Sequence, residues 1–194
     1  MVNNKIGYAC INMALSYPTK YGNKPRGTQP ITTNRSMIKR TFEDKGVDYA
    51  SELILQNVKD LNQIISWNVI NGYDFYRMSS DITPWKTEYE WDDLKDIEQI
   101  RQWFHSAGTM ATTHGIRLTT HPGPFNVLVS PHDHVVDNCV KDLTIHGDVM
   151  DMMGLSRTPY NKINIHIGGV YGDKESAMDR FCKNFYKLPE SIQT

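Results

Sequence analysis

A chain of 194 residues with 39 % apolar and 22 % charged side chains is long enough for one domain with a buried core. Its net charge of −1 neither demands nor excludes nucleic acid, since an enzyme acting on DNA needs only a local basic surface. No apolar run reaches the about 18–20 residues that span a bilayer, Met1-Val2-Asn3-Asn4-Lys5 has no leader-like apolar stretch, and Cys10, Cys139 and Cys182 form neither a disulfide framework nor a zinc ribbon; the expectation is a cytoplasmic protein without a membrane partner.

Ile6 to Ile11 reads as the first strand. A long segment, 16–48, reads as a loop, and a loop of that length signals function or mobility. It carries Lys20, Lys24, Arg26, Arg35, Lys39 and Arg40, which charge alone reads as a solvated surface. The spacing of Ile54, Val58, Leu61 and Ile65 predicts a helix over 51–69, closed by Gly72. A strand follows at 74–78 and a helix at 92–113, with Ile97, Ile100, Phe104 and Ala107 on one face. The third strand is Arg117 to Thr120. The third helix runs over 134–153 with Val136, Val140 and Leu143 inward, Asp133 as its cap and Gly154 after it. A fourth strand is expected at 162–167, and a fourth helix at 174–187 with Ala177, Phe181, Phe185 and Leu188 in register.

Four strand–helix units in a row predict an α/β fold with a parallel sheet and helices outside. An open doubly wound sheet and half of an eightfold barrel both fit; a full barrel takes about 250 residues. In either case sites form at the carboxyl ends of strands. Two of those ends are His121 and His166. Imidazole ligates divalent metals, and it also packs beside loops; both readings stand on the residues alone. His146 falls at helical spacing with Cys139 and Leu143, which reads as a packed histidine, and His132 and His134 read as structural or surface residues. Gly168 to Lys174 has the place of a phosphate-cradling loop but lacks the P-loop and GxGxxG spacings.

Several segments together resemble the UV damage endonuclease family: Gly7-Tyr8-Ala9-Cys10-Ile11-Asn12, Thr33-Asn34-Arg35, Tyr76-Arg77-Met78-Ser79-Ser80-Asp81, His121-Pro122-Gly123, and Ile165-His166-Ile167-Gly168-Gly169-Val170-Tyr171-Gly172-Asp173-Lys174. The resemblance implies a TIM-type (β/α)8 barrel, of which this chain is about the first four units, as the amino-terminal part of a single domain. It implies nicking of UV-damaged double-stranded DNA on the 5′ side of the photoproduct, with a divalent cluster, manganese being usual. It makes His121 and His166 metal ligands and assigns Tyr8, Asn12, Arg77 and Lys174 to catalysis or DNA contact. Where the family carries a Gln-Tyr pair that probes the damage, this chain has Pro124-Phe125. By the same resemblance the remaining metal ligands lie past Glu190, so a second polypeptide supplying the carboxy-terminal half is an expected partner. A metal-dependent sugar isomerase on a related barrel and a non-catalytic DNA-binding remnant are the competing readings.

Overall fold

Three short runs of β-forming residues pair in parallel to build the sheet. They are β1 (Gly7–Ala9), β2 (Phe75–Met78) and β3 (Arg117–Thr120), in the order β1-β2-β3. The register aligns Tyr8 with Tyr76 and Leu118, and Ala9 with Arg77 and Thr119. The computed structural model describes residues 5–193; Thr194 and the tetrapeptide Met1–Asn4, most of the segment read for a leader, lie outside them.

Helices run between the strands: α1 (Met13–Ser16), α2 (Pro18–Tyr21), α3 (Lys39–Asn71), α4 (Ile97–Thr113), α5 (Asp133–Met152), α6 (Lys174–Phe185) and α7 (Glu190–Gln193). Ile54, Val58, Leu61 and Ile65 of α3 and Ile100, Phe104 and Ala107 of α4 are fully buried, as their spacing requires. They form one core with Tyr76, Met78 and Leu118 of the sheet, Val149 and Met150 of α5, and Met153 just after that helix. Strand residues alternate between faces, so helices cover the face of Tyr8, Tyr76 and Leu118 and the opposite face carries Arg77 and Thr119. The strands follow one another in sequence without a switch point, so successive units wind in one direction. A second cluster joins Leu128, Val136, Cys139 and Leu143 to Phe181, Phe185 and Leu188. Among the described residues no helix is long and apolar enough to cross a membrane.

Gly72 ends α3 in the left-handed conformation (φ 72°), where a side chain would be strained. Other boundaries depart from expectation. The loop expected over 16–48 contains α2 and the first turns of α3, which is broken at Gly46. Asp92 belongs to a separate turn, Trp91–Asp93, closed by reciprocal bonds between Glu90 and Asp93; α4 begins only after Asp96, whose amide donates to Ser51 Oγ. The cap position of α5 is His132 rather than Asp133.

The expected fourth strand at 162–167 is also not a strand. Asn164 N donates to the Thr120 carbonyl and Thr120 N to the Lys162 carbonyl, making one parallel bridge, Thr120 with Ile163. The ladder stops because β3 itself stops: Pro122 has no N–H to extend it. The described chain thus has a three-stranded sheet with a fourth segment docked at one point.

Candidate active site at the strand ends

The parallel sheet directs three segments toward one end of the fold. After β1 the chain turns at Cys10 (φ 59°), and Asn12 caps α1 by accepting from Leu15 N at 3.1 Å. After β2, Ser79 is buried and its hydroxyl accepts from Asp81 N at 3.1 Å. After β3 comes His121-Pro122-Gly123, and the docked fourth segment brings His166 beside it.

The two imidazoles meet. Their ring centroids are 4.6 Å apart with planes at 62°. His121 Nδ1 lies 2.7 Å from the Pro122 carbonyl, which can only accept, so Nδ1 carries the hydrogen and Nε2 keeps a free lone pair. That is the arrangement by which a backbone carbonyl orients a metal-binding histidine. Arg77 and Thr119, in register across β2 and β3 on the uncovered sheet face, each hold a buried atom without a hydrogen-bond partner: Arg77 Nε and Thr119 Oγ1.

Tyr8 and Asn12 go elsewhere. The Tyr8 hydroxyl donates to Asn68 Oδ1 at 2.6 Å and accepts from Asn12 Nδ2 at 2.7 Å. The ring packs against Tyr73, Tyr76 and Trp67 on the helix-covered face. Burial of the phenol pushes its pKa up to about 12. This is the geometry of a core aromatic and a helix cap, and it does not bring the pair onto the face of Arg77. Lys174 is exposed at the first turn of α6, next to the capping Asp173, whose carboxylate accepts from Ser176 N at 2.8 Å; that bond holds the carboxyl below the usual range. Pro124 and Phe125 project into solvent, Phe125 with 87 % of its surface free. Beside them an open cavity of about 900 Å³ is lined by Ser80, Trp85, Lys86, Phe125, Asp142 and His146 among others.

The UV-endonuclease UvdE family matches the chain over residues 4–194. The chain belongs to this family. A protein of Acanthamoeba polyphaga mimivirus is 34 % identical over 190 residues, 97 % of this chain and 54 % of that protein. The UV DNA damage endonuclease of Bacillus mycoides is 33 % identical over 171 residues, 87 % of this chain and 51 % of the relative. The crystal structure of SacUVDE superposes with a TM-score of 0.78 at 25 % identity, over 97 % of this chain and 58 % of that one. The chain spans about half the length of the curated relatives it matches.

Like the Gly7–Asn12 segment, Thr33-Asn34-Arg35 serves the scaffold. Arg35 of Thr33-Asn34-Arg35 pairs with the buried Asp60 at 2.7 Å and donates to the Thr32 and Pro30 carbonyls. Asn57 receives Arg35 N and donates to the carbonyls of Arg35 and Ile82, so one side chain of α3 ties two loops together. Arg35 is therefore engaged within the basic segment, whereas Lys20, Lys24, Arg26, Lys39 and Arg40 are exposed. Sequence reasoning missed Asn57, Asp60 and Asn68, although 57, 61, 64 and 68 continue the helical spacing of the buried stripe. His146 is packed as its spacing predicts, and it also contacts Thr120 Oγ1 at 3.0 Å, which spacing could not indicate.

The donor set tests the metal. His121 and His166 fit two positions of a divalent site. Among the described residues, no group of three or more His, Cys, Asp or Glu side chains gathers to hold an ion. Manganese prefers oxygen ligands and several of them, so the pair falls short of a manganese site by itself.

Proposed function

We propose that this chain is the amino-terminal, strand-end part of a DNA-repair endonuclease of the (β/α)8 type that nicks UV-damaged double-stranded DNA. The observation that carries the reading is the meeting of His121 and His166 at 4.6 Å, on the two family motifs that end a strand and a docked segment. Family membership and the endonuclease names of the relatives support the reaction class; the sequential strand order and one-sided helices support the barrel.

Within this reading His121 and His166 supply two nitrogen ligands to a divalent ion, manganese being the family expectation. The carboxylate ligands come from the other half of the barrel, in the same polypeptide or in a second one. A bound ion of this kind supplies an activated water and neutralises the phosphate it holds. The Arg77 guanidinium, with its unpaired Nε on the uncovered face, binds a backbone phosphate. Phe125, exposed on the loop after His121, stacks on a base or fills the gap beside an extruded lesion. Pro124 offers no side-chain hydrogen bond at its position, so stacking rather than hydrogen bonding reads the damage. The exposed lysines and arginines of 20–40, and exposed Lys174, track the backbone. Tyr8 and Asn12 act by holding the β1 end rather than by touching the reacting atoms.

Binding of irradiated and unirradiated duplexes, followed by fluorescence anisotropy across a salt series, tests the reading. Irradiated duplex is expected to bind more tightly, with the preference lost in Phe125→Ala and the overall affinity falling with salt. Equal affinity for both duplexes would refute damage recognition. Nicking of irradiated plasmid with manganese is expected to be negligible for this chain alone, and strong nicking by the pure chain would refute the division of the ligands.

A further inference from the structure

We propose that Asp142 and His146, one turn apart on α5, are positioning residues that fix the loop 121–126 and thereby the directions of the Phe125 ring and the His121 imidazole. This deepens the reading above and rests on it for the claim that the loop meets DNA.

The loop is tied to α5 at both ends. At its start, buried Thr120 presents Oγ1 3.0 Å from Nδ1 of buried His146. At its end, Asn126 Nδ2 donates to Asp142 Oδ2 at 2.7 Å and to the Gly123 carbonyl at 3.1 Å. Asp142 Oδ2 also faces His146 Nε2 at 3.8 Å. That is too far for a hydrogen bond, but it orients the ring: a carboxylate only accepts, so Nε2 bears the hydrogen and Nδ1 accepts from the Thr120 hydroxyl. Nδ1 is thereby engaged by Thr120 and Nε2 is turned toward Asp142, so the ring supports the loop.

The two α5 residues lie at i and i+4, on one helix face. A loop held at one point can swivel, whereas one held before its first residue and at its last keeps its direction. Between the two anchors stand His121, whose Nε2 is free, and Phe125, which has almost no packing of its own. Direction at these two positions is therefore set from α5.

The test uses the 194-residue chain with Asp142→Ala, His146→Leu and His146→Gln, and adds Asn126→Ala to cut the same anchor from the exposed side. Hydrogen–deuterium exchange over 121–128 reads the loop, and the affinity ratio for irradiated over unirradiated duplex reads its consequence. Losing one anchor is expected to speed loop exchange by about tenfold, the effect of one hydrogen bond, and to lower the affinity ratio by a similar factor. His146→Gln is expected to restore both, because its amide oxygen accepts from Thr120 while its NH2 faces Asp142. Asp142→Ala combined with Asn126→Ala should fall short of the sum of the two single effects, because both remove the same Asn126–Asp142 bond. Unchanged loop exchange in all variants overturns the proposal, and so does a loosened loop with an unchanged affinity ratio. If the parent chain itself shows no preference for irradiated duplex, damage recognition fails, while loop exchange still decides whether Asp142 and His146 hold the loop.

Discussion

Replacing Asp60 by Ala should unclasp the segment between α2 and α3 from the helix that carries it. The Asp60 carboxylate takes four donors: Thr32 N at 2.9 Å and Arg35 Nη1 at 2.7 Å on one oxygen, Gln56 Nε2 at 2.9 Å and Gln63 Nε2 at 3.1 Å on the other. Its side chain is 2 % exposed and that of Arg35 26 %. Breaking a buried ion pair costs about 3–5 kcal/mol when the surviving charge stays buried. Here Arg35 keeps two carbonyl partners and can reach water, which brings its share toward the about 1 kcal/mol of an exposed pair. The Thr32 N–H, left unpaired, adds about 1–3 kcal/mol. The sum is roughly 2–4 kcal/mol, read as a shift in the urea midpoint. If the segment undocks before the core unfolds, the loss appears instead as faster tryptic cleavage at Lys20 and Arg26. An Arg35→Leu, Asp60→Ala cycle separates the pair from the Thr32 bond. A midpoint within about 0.5 kcal/mol of the parent, together with an unchanged cleavage rate, would refute the assignment of Asp60 as the clasp.

Gly108 of α4 sits where a Cβ would overlap the Met153 carbonyl, so Gly108→Ala should force α4 from the end of α5 and cost about 1–3 kcal/mol in chemical denaturation. Burial raises the pKa of Asp148, which accepts from Trp91 Nε1 at 2.8 Å, so its charged form is disfavoured in the fold. With the folded value above the unfolded 3.8, the native state is favoured at acidic pH and loses that contribution as pH rises through the folded value. Asp148→Asn keeps the acceptor and should raise Tm at pH 7, with the gain shrinking toward pH 4. Tyr8, pushed up to about 12, contributes stability that is complete below pH 10 and lost as pH rises toward 12. Tyr8→Phe should flatten that alkaline loss and cost about 1–3 kcal/mol at neutral pH through the orphaned Asn68 and Asn12 groups.

The parts legible in the sequence are those that a short window determines. A 3.6-residue stripe buries itself whatever surrounds it, so Ile54, Val58, Leu61 and Ile65 were readable, as were Ile100, Phe104 and Ala107; Gly72 was readable because its left-handed backbone is a local requirement. The segment 162–167 departs from the expected strand because strand formation is not local. The run at 162–167 has the composition of a strand, but its pairing depends on how far β3 extends, and Pro122 ends that ladder. The start of α4 was misread for a similar reason: Asp92 and Asp93 look like a helix start, and the distant Ser51 sets the true one.

Of the residues singled out by motif resemblance, some come together in the fold and others serve its scaffold. His121 and His166 are separated by 45 positions and meet in space, which no local pattern could have established. Yet the same set of motifs includes Arg35, whose charge is spent on Asp60, and Tyr8, whose hydroxyl is closed between Asn68 and Asn12. A shared motif therefore marks a geometry that must be kept, and that geometry includes the residues that hold the strand ends in place as well as those proposed above as ligands. The distinction shows in which atoms remain free: His121 Nε2 and the Arg77 Nε lack partners, whereas the polar atoms of Tyr8 and Asn12 are paired. In the reading proposed above, the unpaired groups at the strand ends take a substrate or a metal without first breaking a bond in the protein, whereas Asn68 Nδ2, also unpaired, lies beside Tyr8 on the covered face. Paired groups on the covered face can act on the reaction only by keeping the strand ends in place.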